Sequence, residues 1–174
     1  MPELTLLILG AGGFGQALAE VARSLKKWSN IYFIDDRWPE LTHINGYTVI
    51  GDINYLTSMK ASNFEGIAAV GNNTLRNNWH SILRQRNIPL ATVIHPRAII
   101  SQSANIRSGV TIMAGCIVSA SCHIEEGVIL NIGTLLDHDV VVGAYSHLSV
   151  GVKVAGGKNI SAFSFVEVGE RISH

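Results

Sequence analysis

From Ile94 to Ile172 an aliphatic residue returns at every sixth position without interruption. Four places after each of them the residue is usually small or slender, with Lys158 and Glu170 as exceptions. Two inward positions in six match neither the period of a helix nor the alternation of a simple strand. A period sustained this long indicates a repeat architecture. The aliphatic positions are Ile94, Ile100, Ile106, Ile112, Val118, Ile124, Leu130, Leu136, Val142, Leu148, Val154, Ile160, Val166 and Ile172.

These hexapeptide repeats predict a left-handed parallel β-helix. Each hexad would form one short strand and one corner, three hexads would close a triangular coil, and stacked coils would bury both inward positions in one column. Such a coil is an exception to the usual right-handed crossover of parallel strands. Cys116 and Cys122 both fall on inward small positions, so we expect two buried thiols and no disulfide.

Before the repeats, apolar runs alternate with segments of helical spacing. This alternation predicts a Rossmann-like α/β domain over residues 1–92, followed by the β-helix over residues 93–174. A loop is expected around Pro39. The predicted strands are Leu4–Leu9, Ile31–Ile34 and Gly66–Val70, and the predicted helices are Gln16–Lys27 and Thr74–Arg86.

A glycine-rich turn lies between the first strand and the first helix. Gly10, Gly12 and Gly15 satisfy G-x-G-x-x-G, and Asp35 follows about twenty residues later. The turns holding Gly12, Asp35 and Gly71 should converge at the carboxyl edge of the sheet, where glycines and a helix N-terminus favour phosphate binding. A mononucleotide or nucleotide sugar is favoured over NAD, because the β-helix leaves no residues for a second mononucleotide half. The alternative is a tight turn without a ligand.

One histidine of the repeats stands between two acids, in Asp137-His138-Asp139. These side chains should face outward, and a carboxylate beside an imidazole suits a general base that works near neutral pH. His147 is expected on another outward position of the same coil. A zinc site shared by three chains through His123, His138 and His147 is the metal alternative. Their differing hexad positions and faces argue against it, so no metal is expected.

Composition narrows the class of protein. Only 15% of the residues are charged, against about 25% in an average domain, which indicates oligomerisation. The formal net charge of zero and the lack of a basic cluster argue against nucleic acid. Met1-Pro2-Glu3 lacks a basic leader and Leu4–Leu9 is too short for a membrane span, so we expect a cytoplasmic protein. The histidines expected as ordinary surface residues are His43, His80 and His174.

Seven stretches along nearly the whole chain carry a family resemblance. They are Gly10–Gly15, Asp35-Asp36, Gly71–Asn73, Ile94–Pro96, Gly127–Asn131, Asp137–Asp139 and His147–Gly151. In combination they resemble the bacterial nucleotide-sugar acetyltransferases grouped with sialic acid O-acetyltransferases. The likeness is to the UDP-4-amino-sugar N-acetyltransferases of bacillosamine-type glycan pathways in particular.

The resemblance implies a homotrimer that transfers acetyl from acetyl-CoA to an amino group of a UDP-linked amino sugar. On the matching positions, it implies that His138 is the general base and Asp139 the acid that raises its basicity. It also implies acetyl-CoA contacts at His147 and Val168. The implied nucleotide-sugar contacts are Gly12, Gly13, Phe14, Asp35, Asp36 and Gly71.

Three features depart from the family pattern. Phe14 stands where relatives usually carry a polar residue, often histidine. Residues 156–159 and 161–163 are expected to break the glycine-bearing hexads, and relatives continue with further coils beyond residue 174. The last departure keeps open a nucleotide-sugar-binding trimer with weak or no turnover. The resemblance itself keeps open an O-acetyltransferase acting on sialic acid or a related sugar.

Overall fold

The computed structural model describes residues 3–59 and 63–173, so the expected surface position of His174 lies outside the described residues. The chain divides into two compact units, Met1–Ala91 and Thr92–His174. Within the described ranges, no helix combines the length and apolar character that crossing a bilayer requires.

The first unit is an α/β domain, as predicted. Its elements are β1 (Thr5–Leu9), α1 (Gly13–Leu25), β2 (Asn30–Ile34), β3 (His43–Ile44), β4 (Tyr47–Gly51), α2 (Tyr55–Ser58), β5 (Phe64–Ala68) and α3 (Asn73–Gln85). The sheet order is β3-β4-β2-β1-β5, parallel except for β3. Strand β1 is buried throughout, because α1 presents an apolar face that includes Leu18 and Val21, and Leu7 and Leu9 of β1 belong to a second core cluster with Leu56 and Leu83.

Two features of this unit differ from the prediction. The segment predicted only as a loop around Pro39 continues into a hairpin of β3 and β4, which turns at Asn45 (φ 47°) and Gly46 (φ 81°). His80, expected on the surface, is fully buried, and its Nε2 accepts a hydrogen bond from the Ala68 backbone N–H at 3.1 Å. The surface prediction for His80 is therefore wrong, because α3 turns this face onto β5.

The second unit is a left-handed parallel β-helix, as predicted. Its two-residue strands form three parallel sheets, and each strand pairs with the strands one coil before and after. Face 1 contains β7, β10, β13, β16 and β19; face 2 contains β8, β11, β14 and β17; face 3 contains β6, β9, β12, β15 and β18. The strands are β6 (Val93–Ile94), β7 (Ile99–Ile100), β8 (Asn105–Ile106), β9 (Thr111–Ile112), β10 (Ile117–Val118), β11 (His123–Ile124), β12 (Ile129–Leu130), β13 (Leu135–Leu136), β14 (Val141–Val142), β15 (His147–Leu148), β16 (Lys153–Val154), β17 (Asn159–Ile160), β18 (Phe165–Val166) and β19 (Arg171–Ile172).

The hexad residues form one continuous core inside the coils. Cys116 and Cys122 are fully buried in it as free thiols. Three inward positions hold hydroxyls, and each donates to a backbone carbonyl: Thr134 to Asn131 at 2.8 Å, and Ser146 and Ser164 both to Ser161 at 2.7 Å. A buried hydroxyl needs such a partner to offset its desolvation.

The corners repeat a single backbone conformation. From Gly109 to Gly169, every sixth residue has a left-handed φ, and most of these residues are glycines. The exceptions are Ser121, Asp139, Tyr145 and Phe163. The expected break of the glycine pattern at residues 156–159 is wrong, because Gly157 (φ 69°) occupies the left-handed position of its hexad. The break expected at residues 161–163 is present, with Phe163 (φ 59°) in that position.

Candidate active site and nucleotide-binding turn

Three turns meet at the carboxyl edge of the N-terminal sheet, as expected. Leu9 pairs with Ile34 on one side and Ala68 on the other, so β2, β1 and β5 end level with one another. The Gly10 N–H donates to the Ile34 carbonyl at 2.8 Å, and the Ala69 N–H donates to the Leu9 carbonyl at 2.7 Å. The turns that follow these strands therefore lie side by side.

The glycines of the first turn have different roles. Gly10 has φ 102°, and an added Cβ would lie 3.1 Å from the Ala69 carbonyl oxygen. A Cβ on Gly15 would collide with the Gly10 carbonyl. Gly12 and Gly13 are exposed, and an added Cβ at either would meet nothing within 4 Å. Gly10 and Gly15 thus close the turn, while Gly12 and Gly13 leave the N-terminus of α1 open to a ligand.

Asp35 organises this edge through four hydrogen bonds. Its Oδ2 accepts from the Ala11 N–H at 2.7 Å and from Arg37 Nη2 at 3.0 Å, and its Oδ1 accepts from Arg37 Nε at 2.7 Å and Arg37 N at 3.1 Å. The side-chain bonds from Arg37, aided by backbone N–H groups and opposed by burial, lower the pKa of Asp35 from 3.8 to about 2. Asp36 is exposed and Phe14 is half-buried.

The third turn is held by Arg76, which the sequence did not single out. Its guanidinium is buried and donates to the carbonyls of Val70 at 3.0 Å and Gly71 at 3.3 Å, and to Asn73 Oδ1 at 2.9 Å. The Asn72 side chain caps α3. Gly71 is therefore fixed in place by its carbonyl.

His138 lies at the corner between faces 1 and 2, and it faces outward with Asp137 and Asp139, as predicted. Its Nδ1 is 2.8 Å from Asp139 Oδ2, and its Nε2 is 3.9 Å from Asp137 Oδ2. The hydrogen bond to Asp139, together with the charge of Asp137, raises the pKa of His138 above 6.5. With Nδ1–H donated to Asp139, Nε2 is left with a lone pair that can accept a proton. The imidazole is 63% exposed.

The backbone beneath His138 is fixed by the coils on both sides. Asp137 N donates to the Val154 carbonyl at 3.0 Å, and Asp139 N donates to the Ala120 carbonyl at 2.9 Å. The His138 carbonyl accepts from the Gly157 N–H at 2.9 Å. The coils thus fix the backbone from which these side chains project, and the hydrogen bond to Asp139 orients the imidazole for proton transfer.

Gly156 also borders this site, and sequence reasoning did not find it. It lies one coil after His138, and an added Cβ would be 2.8 Å from both His138 Cε1 and Nε2. The signal was available, because Gly156 follows His138 by the length of one coil.

A shallow groove of about 440 Å³ runs along face 1 beside this corner. Ile117 and Leu135 give it an apolar part, Lys153 and Arg171 a basic part, and Asp137 borders it. The groove therefore offers apolar surface and positive charge next to the general base candidate.

The structure does not bring His147 and Val168 to His138 within one chain. His147 lies on face 3, where its ring packs edge-on against Phe165 at 5.1 Å between centroids and is only 8% exposed. The expected outward position is thus largely covered. Val168 is exposed at the corner between faces 3 and 1. His123 lies on face 2, and among the described residues no cluster of three His, Cys, Asp or Glu side chains could hold a metal ion.

Comparisons with known proteins agree with these features. The PglD N-terminal domain family matches residues 5–83. No curated protein gives a significant match. The acetyltransferase domain of PglB from Neisseria gonorrhoeae FA1090 superposes with a TM-score of 0.92 at 34% identity, over 96% of this chain and 81% of that chain. The same domain in complex with acetyl coenzyme A gives a TM-score of 0.93 at 34% identity, over 97% and 82%.

A more distant neighbour shares the fold. A mutant of perosamine N-acetyltransferase from Caulobacter crescentus, in complex with CoA and GDP-perosamine, has a TM-score of 0.82 at 26% identity, over 97% of this chain and 88% of that chain. The resemblance stated from the sequence motifs is confirmed. The chain belongs to the nucleotide-sugar N-acetyltransferase family of the hexapeptide-repeat superfamily.

Proposed function

We propose that this protein transfers an acetyl group from acetyl-CoA to an amino group of a nucleotide-linked amino sugar. The observation that carries the proposal is the outward imidazole of His138, which Asp139 orients at 2.8 Å on a backbone fixed by neighbouring coils. Both reactants are metabolites of the cell interior, so we infer a cytoplasmic enzyme.

In the proposed mechanism, His138 Nε2 takes a proton from the sugar amine as its nitrogen attacks the thioester carbonyl. The new C–N bond forms, the C–S bond breaks, and the imidazolium returns the proton to the departing thiolate. Asp139 keeps the proton on Nδ1 and stabilises the positive charge that develops on the ring. The nearby Asp137 carboxylate adds to this stabilisation.

For acetyl-CoA, the proposed site is the groove on face 1. Ile117 and Leu135 suit the apolar pantetheine arm, while Lys153 and Arg171 suit phosphates. We infer that His147 and Val168 come to the site from a neighbouring protomer, since they lie on other parts of their own coils. The small exposure of His147 limits it to an edge contact.

The nucleotide sugar is proposed to bind at the carboxyl edge of the N-terminal sheet. Open backbone at Gly12 and Gly13 suits a diphosphate at the N-terminus of α1, with Phe14 and Gly71 as neighbouring contacts. Because the acceptor positions of Asp35 are filled by Ala11 and Arg37, we infer that Asp36 makes the direct hydrogen bond. Asp35 then shapes the site by holding the turn.

UDP is the proposed nucleotide. The proposal rests on the motifs that the chain shares with UDP-4-amino-sugar N-acetyltransferases. Identity to the perosamine enzyme, whose structure holds GDP-perosamine, is only 26%, so the guanine nucleotide is not carried over to this chain. Binding measurements with UDP, GDP and NAD test this point, and tighter binding of GDP would contradict it.

We infer a homotrimer. Ile132, Val150 and Val168 stack at successive levels of one corner and are all exposed, which leaves an apolar ridge for a second copy to cover. We expect Val150→Glu to convert trimers into monomers at micromolar concentration, because a carboxylate cannot be buried there unpaired. Sedimentation measures the change, and a monomeric wild type would contradict the assembly.

A thiol-release assay tests the activity directly. Acetyl-CoA is incubated with UDP-linked and GDP-linked amino sugars, and the product is checked for an amide or an ester. Amide formation supports the proposal, and ester formation identifies an O-acetyltransferase. A protein that binds the nucleotide sugar but releases no CoA would instead be a binding trimer without turnover.

A further inference from the structure

Gly156 faces the reactive edge of His138. Its hypothetical Cβ would lie 2.8 Å from Cε1 and Nε2 of the imidazole and 3.3 Å from Asp137 Oδ2. Real Cβ atoms essentially never approach another heavy atom closer than 3.0 Å. A residue with any side chain at this position therefore requires the imidazole to move.

The backbone does not explain this glycine. Gly157, the next residue, has φ 69° and occupies the left-handed position of the corner. Gly156 has no such φ, so alanine fits its backbone without strain. What excludes a side chain from position 156 is the neighbouring imidazole.

We propose that Gly156 is a positioning residue for His138, because its missing side chain lets the imidazole rest against the next coil while Nδ1 stays on Asp139. The inference rests on the proposed role of His138 as general base. Since the imidazole is 63% exposed, few contacts restrict it. The Asp139 hydrogen bond holds one edge of the ring, and the contact with Gly156 limits the position of the other.

Alanine at position 156 would disturb both restraints. An ordinary contact begins at 3.4 Å, so the edge bearing Nε2 would have to move outward by roughly half an ångström. Because the rigid imidazole turns about its Cα–Cβ and Cβ–Cγ bonds, moving this edge also shifts Nδ1 relative to Asp139 Oδ2 and distorts their hydrogen bond. A shift of about 1 Å in a reacting group costs up to about 100-fold in rate.

The experiment is Gly156→Ala, measured by steady-state kinetics and by NMR titration of the His138 Cε1–H. We expect kcat to fall by roughly 10-fold to 100-fold, with the KM values for acetyl-CoA and nucleotide sugar nearly unchanged. The titration midpoint of His138 should move to lower pH, since its interactions with Asp139 and Asp137 weaken. Unchanged kcat and midpoint would overturn the proposal.

Two further variants separate positioning from a purely structural role. Ala162→Ser changes an exposed residue on the same coil as Gly156 and should leave both readouts unchanged. Gly156→Ala should lower the Tm in the wild-type background but be neutral or stabilising in a His138→Ala background, where the imidazole is gone. An equal loss of Tm in both backgrounds would overturn the proposal.

If Gly156→Ala does not fold, the folding of a double variant still tests the proposal. A folded His138→Ala/Gly156→Ala double variant would then trace the defect to the imidazole and support the proposal, whereas an unfolded double variant would overturn it. If the wild type releases no CoA with any amino sugar, the proposed function fails. The titration and the Tm comparison still test whether Gly156 positions His138.

Discussion

At the carboxyl edge of the N-terminal sheet, polar side chains hydrogen-bond to the backbone and hold it, whereas at the corner of the β-helix they project into solvent and hydrogen-bond to one another. Asp35, Arg37 and Arg76 support backbone that is presented at Gly12, Gly13 and Gly71. His138 and Asp139 instead project from backbone held by neighbouring coils. In the proposed function, binding would therefore depend on main chain that side chains hold in place, and catalysis on side chains that project from a fixed main chain.

The largest effect is expected from removing an outward-facing side chain at the corner of the β-helix. His138→Ala should lower kcat by roughly two to four orders of magnitude, the usual contribution of a positioned general base. The fold should survive, since the imidazole is mostly exposed. Thiol release measures the rate. A rate equal to that of the wild type would remove His138 from the mechanism.

A backbone site should respond to the opposite kind of change, the addition of a side chain. Gly13→Val should abolish the rise in Tm that a UDP-sugar produces, since the branched side chain blocks approach to phosphate. At ligand concentrations near 100 times Kd, about 2.7 kcal/mol of stabilisation is lost. The Tm without ligand should change little, because the space around Gly13 is open.

Two controls sharpen this comparison. His138→Ala should keep the rise in Tm that a UDP-sugar produces, whereas Gly13→Val should lose it. NAD should stabilise neither protein, because no second mononucleotide half is present to bind nicotinamide. Stabilisation by NAD at micromolar concentration, without any effect of UDP-sugars, would contradict the nucleotide-sugar site.

Asp139→Asn should have a smaller effect, roughly tenfold on the rate. Asparagine tolerates the left-handed φ of 58° at this position, so the corner should stay intact. Asp139 raises the pKa of His138, so its loss lowers that pKa, and the base stays deprotonated to lower pH. The acidic limb of the kcat/KM profile should therefore move to lower pH. A limb that stays in place would mean that Asp139 is not coupled to His138.

The smallest effect is expected from removing Arg37, a side chain that supports the turns at the edge of the N-terminal sheet. Arg37→Ala should lower the free energy of unfolding at pH 7 by about 1 kcal/mol, allowing for solvent screening of this exposed pair. Because the folded-state pKa of Asp35 is lowered from 3.8 to about 2, the stabilisation is complete above pH 4 and is lost towards pH 2. Urea unfolding at pH 7, 4 and 3 measures it. If the difference in free energy of unfolding between the wild type and Arg37→Ala does not shrink below pH 4, the charge of Asp35 is not its source.

The sequence predicted the β-helix well because its core follows one rule at every hexad. The N-terminal hairpin was missed because β3 and β4 are short and half-exposed, although Asn45-Gly46 between Ile44 and Tyr47 is a strong turn signal. The buried positions of His80 and Arg76 depend on tertiary packing, which polarity does not reveal. Recognising Gly156 as a neighbour of His138 required comparing positions one coil apart rather than neighbours in sequence.

Among the corners with a left-handed residue, the corner at His138 is the one where stability and activity favour different residues. Glycine adopts this conformation without a steric penalty, and most corners use it, yet the corner at His138 has Asp139. Selection for thermal stability alone would favour glycine there, and the coil would still close, but the imidazole would lose its partner. With His138 as the proposed general base, consensus redesign of the repeats would thus yield a more stable and slower protein.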